Sequence, residues 1–307
     1  MNLIDRLAKK IADELGREEL TAKLSSLEAR FDSEIEGLKR IVNELKTGQG
    51  MALDIIRVLY EQPDRKRDEL SKLRVTKEYD ELFSIQEPLV SIRIATYNNA
   101  KLLAERALAS VFRQTYEHYE VVVVGDGCSD DTEDVIGKLN NKKIRFYNLP
   151  DRGRYPEDPH ARWMVAGTMP MNMGAELAKG TWIAPLDDDD EFTDDHIQAL
   201  LAECLKNRAE LSYGKFSWHS DDEEKVLGTF PPRLGNFAFQ ATIYASALRF
   251  FQYDVNAWVF NEPADWNLCR RMYEAGVRMN FLDEIVAEIY YTRQAERKGF
   301  VTNATGG

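Results

Sequence analysis

Apolar residues recur at three- and four-residue intervals through the first fifty positions, at Leu20, Leu24, Leu27, Phe31, Leu38, Ile41 and Leu45, with Glu34 at the one interrupted place. That spacing lines one stripe of a helix, as in a coiled-coil seam of about three and a half heptads. Residues 1–50 hold no Pro, Trp or Tyr, and Gly48 and Gly50 predict the end of the helix. We read the stripe as a homo-oligomer contact in preference to a helix docked on its own domain. Residues 51–87 form a charged connector, predicted as short helices broken at Pro63. Its run DRKRDELSKLRVTK reads as a solvated face, with contact to anionic lipid or an acceptor as the other reading.

From Pro88 the pattern changes. LVSIRIA (89–95), YEVVVVG (119–125), KIRFYNL (143–149) and TWIAPL (181–186) are strand-length apolar runs, separated by helical stretches such as KLLAERALASVF and MNMGAELAKG. Strands of this buried type alternating with helices predict an α/β fold with a mostly parallel sheet. Ligands of such sheets bind beyond the carboxyl ends of the strands, so residues 88–200 are expected to bind ligand and residues 201–307 to complete the cleft.

Composition narrows the classes. The 307 residues carry a net charge of −12, which argues against a general nucleic-acid surface. Cys128, Cys204 and Cys269 show no metal spacing and read as reduced thiols. The first residues lack the apolar core of a signal peptide, and no apolar run approaches membrane-spanning length. The expectation is a cytoplasmic protein, with peripheral attachment at the inner face of the membrane left open.

Three strand ends carry polar clusters: Thr96-Tyr97-Asn98-Asn99, then Gly125-Asp126-Gly127-Cys128-Ser129-Asp130-Asp131-Thr132, then Asp187 to Asp190 with Glu191. The second begins G-x-G, yet Asp130 stands where a dinucleotide fingerprint needs its third glycine. Asp126 suits a carboxylate that accepts hydrogen bonds from a base or ribose; for Asp126 and Ser129 the competing reading is a turn and helix cap.

The aspartate run is more specific. Two carboxylates about 4 Å apart repel by about 1 kcal/mol in water and about 4 at an effective dielectric near 20. Alternation at a strand end projects Asp187 and Asp189 to one side, a hard-oxygen pair suited to Mg²⁺ or Mn²⁺ bridging substrate phosphates. An EF-hand is excluded, because Phe192 and Gln198 stand where Gly and Glu are needed. Thr193 is expected to cap the helix DDHIQALLAECL, with Asp194 and Asp195 at its positive end and Phe192 stapled to Ile197. Asp190 and Glu191 have no role legible in the pattern.

PLVSIRIATYNN, EVVVVGDGCSDDT, NMGAELAKGTWIAPLDDDDEF and PADWNLCRRM, in this order over residues 88–290, resemble the family 2 glycosyltransferases. The resemblance implies a GT-A fold, a nucleotide-diphospho-sugar donor, a glycan or lipid-linked hydroxyl acceptor, inversion at the anomeric carbon, and a role in cell-surface glycan synthesis. It implies a nucleoside pocket of Thr96, Tyr97, Asn98 and Asp126, with Asp187 and Asp188 at the ribose or metal and Asp189 as the main metal ligand. Asp265 takes the place of the catalytic base. Arg162 and Asn172 fall in the segment expected to reach the nucleotide.

The chain departs from the family in three ways. Ala264 replaces the first acid of the pair before the last helix, which leaves Glu262 as the alternative base. Gly125 stands at the first acidic position of the family's DDGS stretch. No histidine follows His219, and the C-terminal segment offers Tyr291, Arg293 and Arg297 where many members supply a metal ligand. The competing classes are a nucleotidyltransferase, which wants a basic Gly-rich loop that ATYNNAKLL is not, and a non-catalytic nucleotide-binding coiled-coil assembly protein.

Overall fold

The computed structural model describes residues 6–7, 9–10, 17–220 and 223–291, and the chain divides into two compact units, Met1–Tyr60 and Glu61–Gly307. Arg293 and Arg297 lie outside the described residues.

Helix α1 (Arg17–Glu61) accounts for the heptad pattern. Leu24, Leu27, Phe31, Leu38, Ile41 and Leu45 are each more than half exposed along it. The helix does not stop at Gly48 and Gly50 as expected. A glycine inside a helix costs about 1 kcal/mol relative to alanine but keeps its backbone donor and acceptor, so the break falls at Gln62, in the left-handed region at φ 50°, before Pro63.

In the second unit, α2 (Pro63–Leu73) and α3 (Lys77–Glu81) form the connector. Its charged run is solvated on one side only, since Leu70 and Tyr79 are buried. Arg74 donates two hydrogen bonds to Glu210 at 2.7 and 2.8 Å, and the Tyr79 hydroxyl donates a third at 2.6 Å. A fully buried carboxylate is tolerated there because cation and hydroxyl saturate it.

Beyond the connector lies a sheet of nine strands. Its first four are β1 (Val90–Thr96), β2 (Tyr119–Gly125), β3 (Ile144–Asn148) and β4 (Trp182–Asp187). They pair in parallel in the order β3-β2-β1-β4. All seven residues of β1 are buried, as expected of a parallel strand covered on both faces. The rest of the sheet is mixed: β5 (Glu191–Phe192), β6 (Leu211–Ser220), β7 (Glu224–Leu227), β8 (Thr242–Ala245) and β9 (Met279–Tyr291), continuing β8-β6-β9-β5. The register sets Thr96 beside Gly125 and Ala95 beside Asp187. The three polar strand ends read from the sequence therefore meet at one edge of the fold.

One local expectation fails. The helix after the aspartate run, His196–Asn207, begins after Thr193 to Asp195, and no side chain caps it. The Thr193 hydroxyl instead reaches Asp195 Oδ1 and the Val286 carbonyl, Asp194 pairs with Arg113, and Phe192 stacks on His196 with ring centroids 3.7 Å apart. Pairing of β5 with β9 takes residues 191–192 into a strand, and this delays the helix start.

Candidate active site

The first strand end holds the aspartates in place. Thr96 Oγ1 donates to Asp188 Oδ2 at 2.6 Å and Asn99 Nδ2 donates to Asp188 Oδ1 at 2.9 Å. Gln240, from the segment before β8, donates to Asp187 Oδ2. Asp190, which had no role in the sequence reading, is buried, and its Oδ1 accepts from the Tyr290 amide of β9 at 2.8 Å. Glu191 pairs with Arg113 at 3.1 Å. Arg106 donates to the Asp189 carbonyl at 2.6 Å, which sets its guanidinium beside this acid.

Burial raises all four carboxyls, and repulsion between neighbours adds to it at Asp188, Asp189 and Asp190. Asp188 is pushed up to about 7 by burial and by Asp189, and Asp189 to about 6 by burial and by Asp187. Asp187 and Asp190 are raised as well, chiefly by burial. The cluster is short of positive charge. Two cations stand against it: Arg106, which favours the charged form of Asp189, and Arg93, almost fully buried in β1, which favours the charged form of Asp187 and donates to the Tyr253 hydroxyl at 3.0 Å. The signal was in the sequence: an arginine inside LVSIRIA is out of place in a buried strand unless it meets a charge. Asn99 belonged to the polar end of the first strand, whereas Gln240 carried no such signal.

Among the described residues, no three His, Cys, Asp or Glu side chains converge as ligands of one ion. Mg²⁺ characteristically binds through one or two carboxylates, with substrate phosphates and water completing the shell. A buried group of carboxylates with raised proton affinity fits a cation of that kind.

Asp265 stands in the first turn of the last helix, α9 (Ala264–Ala275). Its Oδ1 accepts from the Trp266 amide at 2.7 Å. Burial, with Asp187 nearby, pushes it up to about 6, so strand end and helix start belong to one electrostatic neighbourhood. Glu262 is differently placed. Both its oxygens accept from Arg270, at 2.8 and 2.7 Å, and Asn267 donates to it at 2.8 Å. A carboxylate so occupied is a structural anchor for α9.

The expected nucleoside residues divide. Asp126, 2% exposed, accepts from the Gly153 amide and the Tyr155 hydroxyl, each at 2.9 Å. Tyr97 lies under the Arg152 guanidinium at 3.8 Å. Asn98 accepts from the Ser129 and Asp130 amides at 2.8 and 3.2 Å and so shapes the loop after β2. Ser129 does not cap the following helix (Thr132–Leu139); Asp130 Oδ1 takes the Thr132 amide and hydroxyl instead. Arg162 is buried and donates to the carbonyls of Pro156 and Glu157, bracing its own loop. Asn172 makes two 2.9 Å hydrogen bonds with the Tyr253 backbone. His160 and Trp163 stack on each other, and Trp218 stacks on Tyr291.

Residues 91–247 match the model of glycosyl transferase family 2. The chondroitin synthase of Pasteurella multocida (strain Pm70) is 32% identical over 160 residues, which is 48% of this chain and 15% of that protein. The hyaluronan synthase of Pasteurella multocida is 35% identical over 123 residues, 39% of this chain and 11% of that one. The chain thus spans a small part of the length of these relatives. Among solved structures, S. aureus TarS superposes with a TM-score of 0.53 at 18% identity over 66% of this chain and 36% of that one. A TarS fragment in complex with UDP-GlcNAc gives 0.52 at 20%, over 66% and 58%. The fold is shared with TarS, and the matched segment contains β1 to β8 together with the aspartate run: this chain belongs to glycosyl transferase family 2.

Proposed function

We propose that the protein transfers a sugar, with inversion, from a uridine-diphospho-sugar to a hydroxyl of a glycan or lipid-linked acceptor in cell-surface glycan synthesis. The observation that carries this reading is the meeting of three strand ends at Asp187 to Asp189, with Asp265 close enough to feel the charge of Asp187. TarS, whose fold it shares, has been solved with UDP and with UDP-GlcNAc, which supports the choice of uridine. Tyr97 and Asp126 receive the base, and Asp188, held by Thr96 and Asn99, meets the ribose. Asp189, with Asp187, holds Mg²⁺ or Mn²⁺, which when bound neutralises the diphosphate.

Asp265 accepts the proton of the acceptor hydroxyl. The hydroxyl oxygen forms its bond to the anomeric carbon as the bond from that carbon to the diphosphate oxygen breaks, and the electron pair leaves with the nucleoside diphosphate. A base with a pKa near 6 is mostly ionised at pH 7 yet still basic enough to share a proton in the transition state. Removal from water is what tunes Asp265 to that range.

The test is a thermal-shift comparison of uridine, guanosine, cytidine and thymidine diphosphates, each with and without Mn²⁺. Uridine diphosphate with Mn²⁺ is expected to raise the melting temperature most. If no diphosphate stabilises the protein in a metal-dependent way, the donor-site reading fails.

The heptad stripe of α1 supports self-association through residues 1–50. Among the described residues no helix is long and apolar enough to cross a membrane.

A further inference from the structure

The loop that follows β3 lies across the residues read above as the nucleobase site. Gly153 and Tyr155 are bonded to Asp126 at 2.9 Å each, and Arg152 Nε comes within 3.9 Å of the same carboxylate. The Arg152 guanidinium sits 3.8 Å above the centre of the Tyr97 ring, with its side chain only 16% exposed. The loop is seated tightly. Gly127 has φ 70°, and a Cβ there would stand 2.5 Å from the Arg152 amide nitrogen and 2.8 Å from the Asp151 carbonyl carbon.

A guanidinium 3.8 Å over a tyrosine ring fills the layer that a stacked base would need, since aromatic stacking also places its partner about 3.5–4 Å from the ring. Arg152 and a base cannot both lie on this face of Tyr97. Asp126 imposes no such exclusion. A carboxylate offers about four acceptor directions, and the two bonds from Gly153 and Tyr155 leave room for a base N–H. The loop backbone can therefore stay where it is while one side chain turns out.

We propose that Arg152 sets the affinity for the donor nucleotide by holding the stacking place of the base on Tyr97, so that a nucleotide binds only by displacing this guanidinium. The proposal rests on the donor-site reading above. Part of the stacking energy of the base is then spent on breaking the arginine–tyrosine contact, and removing the arginine returns it.

The experiment is isothermal titration of the full chain and of Arg152→Ala, with uridine diphosphate and with inorganic pyrophosphate, both in Mn²⁺. A cation–π contact of ordinary strength predicts uridine diphosphate binding about 2- to 30-fold tighter to Arg152→Ala. Pyrophosphate, which has no base, should bind both proteins alike. Arg152→Lys keeps the charge beside Asp126 but stacks less well, so it should give a smaller gain in the same direction and serves if the alanine variant does not fold. Unchanged or weaker uridine diphosphate binding in both variants overturns the proposal while the donor site stands. Weaker binding of both ligands would make Arg152 a phosphate ligand and overturns it equally. If neither protein binds uridine diphosphate, the donor-site reading falls and takes this proposal with it.

Discussion

Asp265→Asn should make the unliganded protein more stable while abolishing transfer. The carboxyl is raised to about 6, against about 3.9 in an unfolded chain. Each unit of that difference is worth about 1.4 kcal/mol in favour of the neutral form, so the ionised group costs the folded state at most about 3 kcal/mol at pH 7. Asparagine keeps an acceptor for the Trp266 amide but gives up a favourable charge in the first turn of α9, worth about 0.3–1 kcal/mol. The expected gain is about 1–2.5 kcal/mol, or about 2–4 °C of melting temperature for each kcal/mol. The pH dependence fixes the cause. With the folded value above the unfolded one, the folded state binds more protons between about pH 4 and pH 6, so stability from this group is present below pH 4 and lost as pH rises through about 6. Wild type and variant should melt alike near pH 4 and separate up to pH 7. Urea denaturation at several pH values measures this directly, with transfer followed in parallel by release of nucleoside diphosphate. A variant less stable at pH 7, or a gap that does not close in acid, would refute the desolvation argument; retained transfer would refute the assignment of the base.

Two further expectations concern the frame around the site. Arg270 is wrapped by Glu61, Glu262 and Glu274 at 2.6, 2.7 and 3.0 Å, and the first two carboxylates are largely buried. Arg270→Met should cost about 3–5 kcal/mol in urea denaturation by leaving them unpaired, and the double variant Arg270→Met, Glu262→Leu should recover part of that loss. A cost below about 1 kcal/mol for the single variant would mean the network is not closed in solution. For α1, deletion of residues 1–48 should lower the mass measured by light scattering to that of a monomer. An unchanged mass would remove the self-association reading.

Much of this protein is written in short-range pattern. The four parallel strands were legible because runs such as YEVVVVG bury both faces and leave no polar alternation, and the polar residues after them marked the site because parallel strands end on one side. The aspartate run stands out on another ground: four adjacent acids behind a buried strand need a positive partner. Their partners could not be named in advance. Gln240 and Tyr290 lie 53 and 100 residues from the acids they contact, and only the pairing of β4 with β8 and of β5 with β9 brings them there.

The misreadings have the same origin. Thr193 looked like a cap because its neighbours resemble a helix start, but a strand pairing with β9 claimed the preceding residues. For Glu262, the alternative base, only the structure shows that Arg270 on the next turns of α9 donates to both its oxygens. Arg152 stood in a loop without recognisable pattern, and its place on Tyr97 depends on how the β3 end packs over Gly127. Local sequence specifies which segments are strands and which ends are charged, because burial and periodicity act over a few residues. Which charge meets which partner is settled by contacts between segments far apart in the chain, and these form only when the whole sheet is assembled.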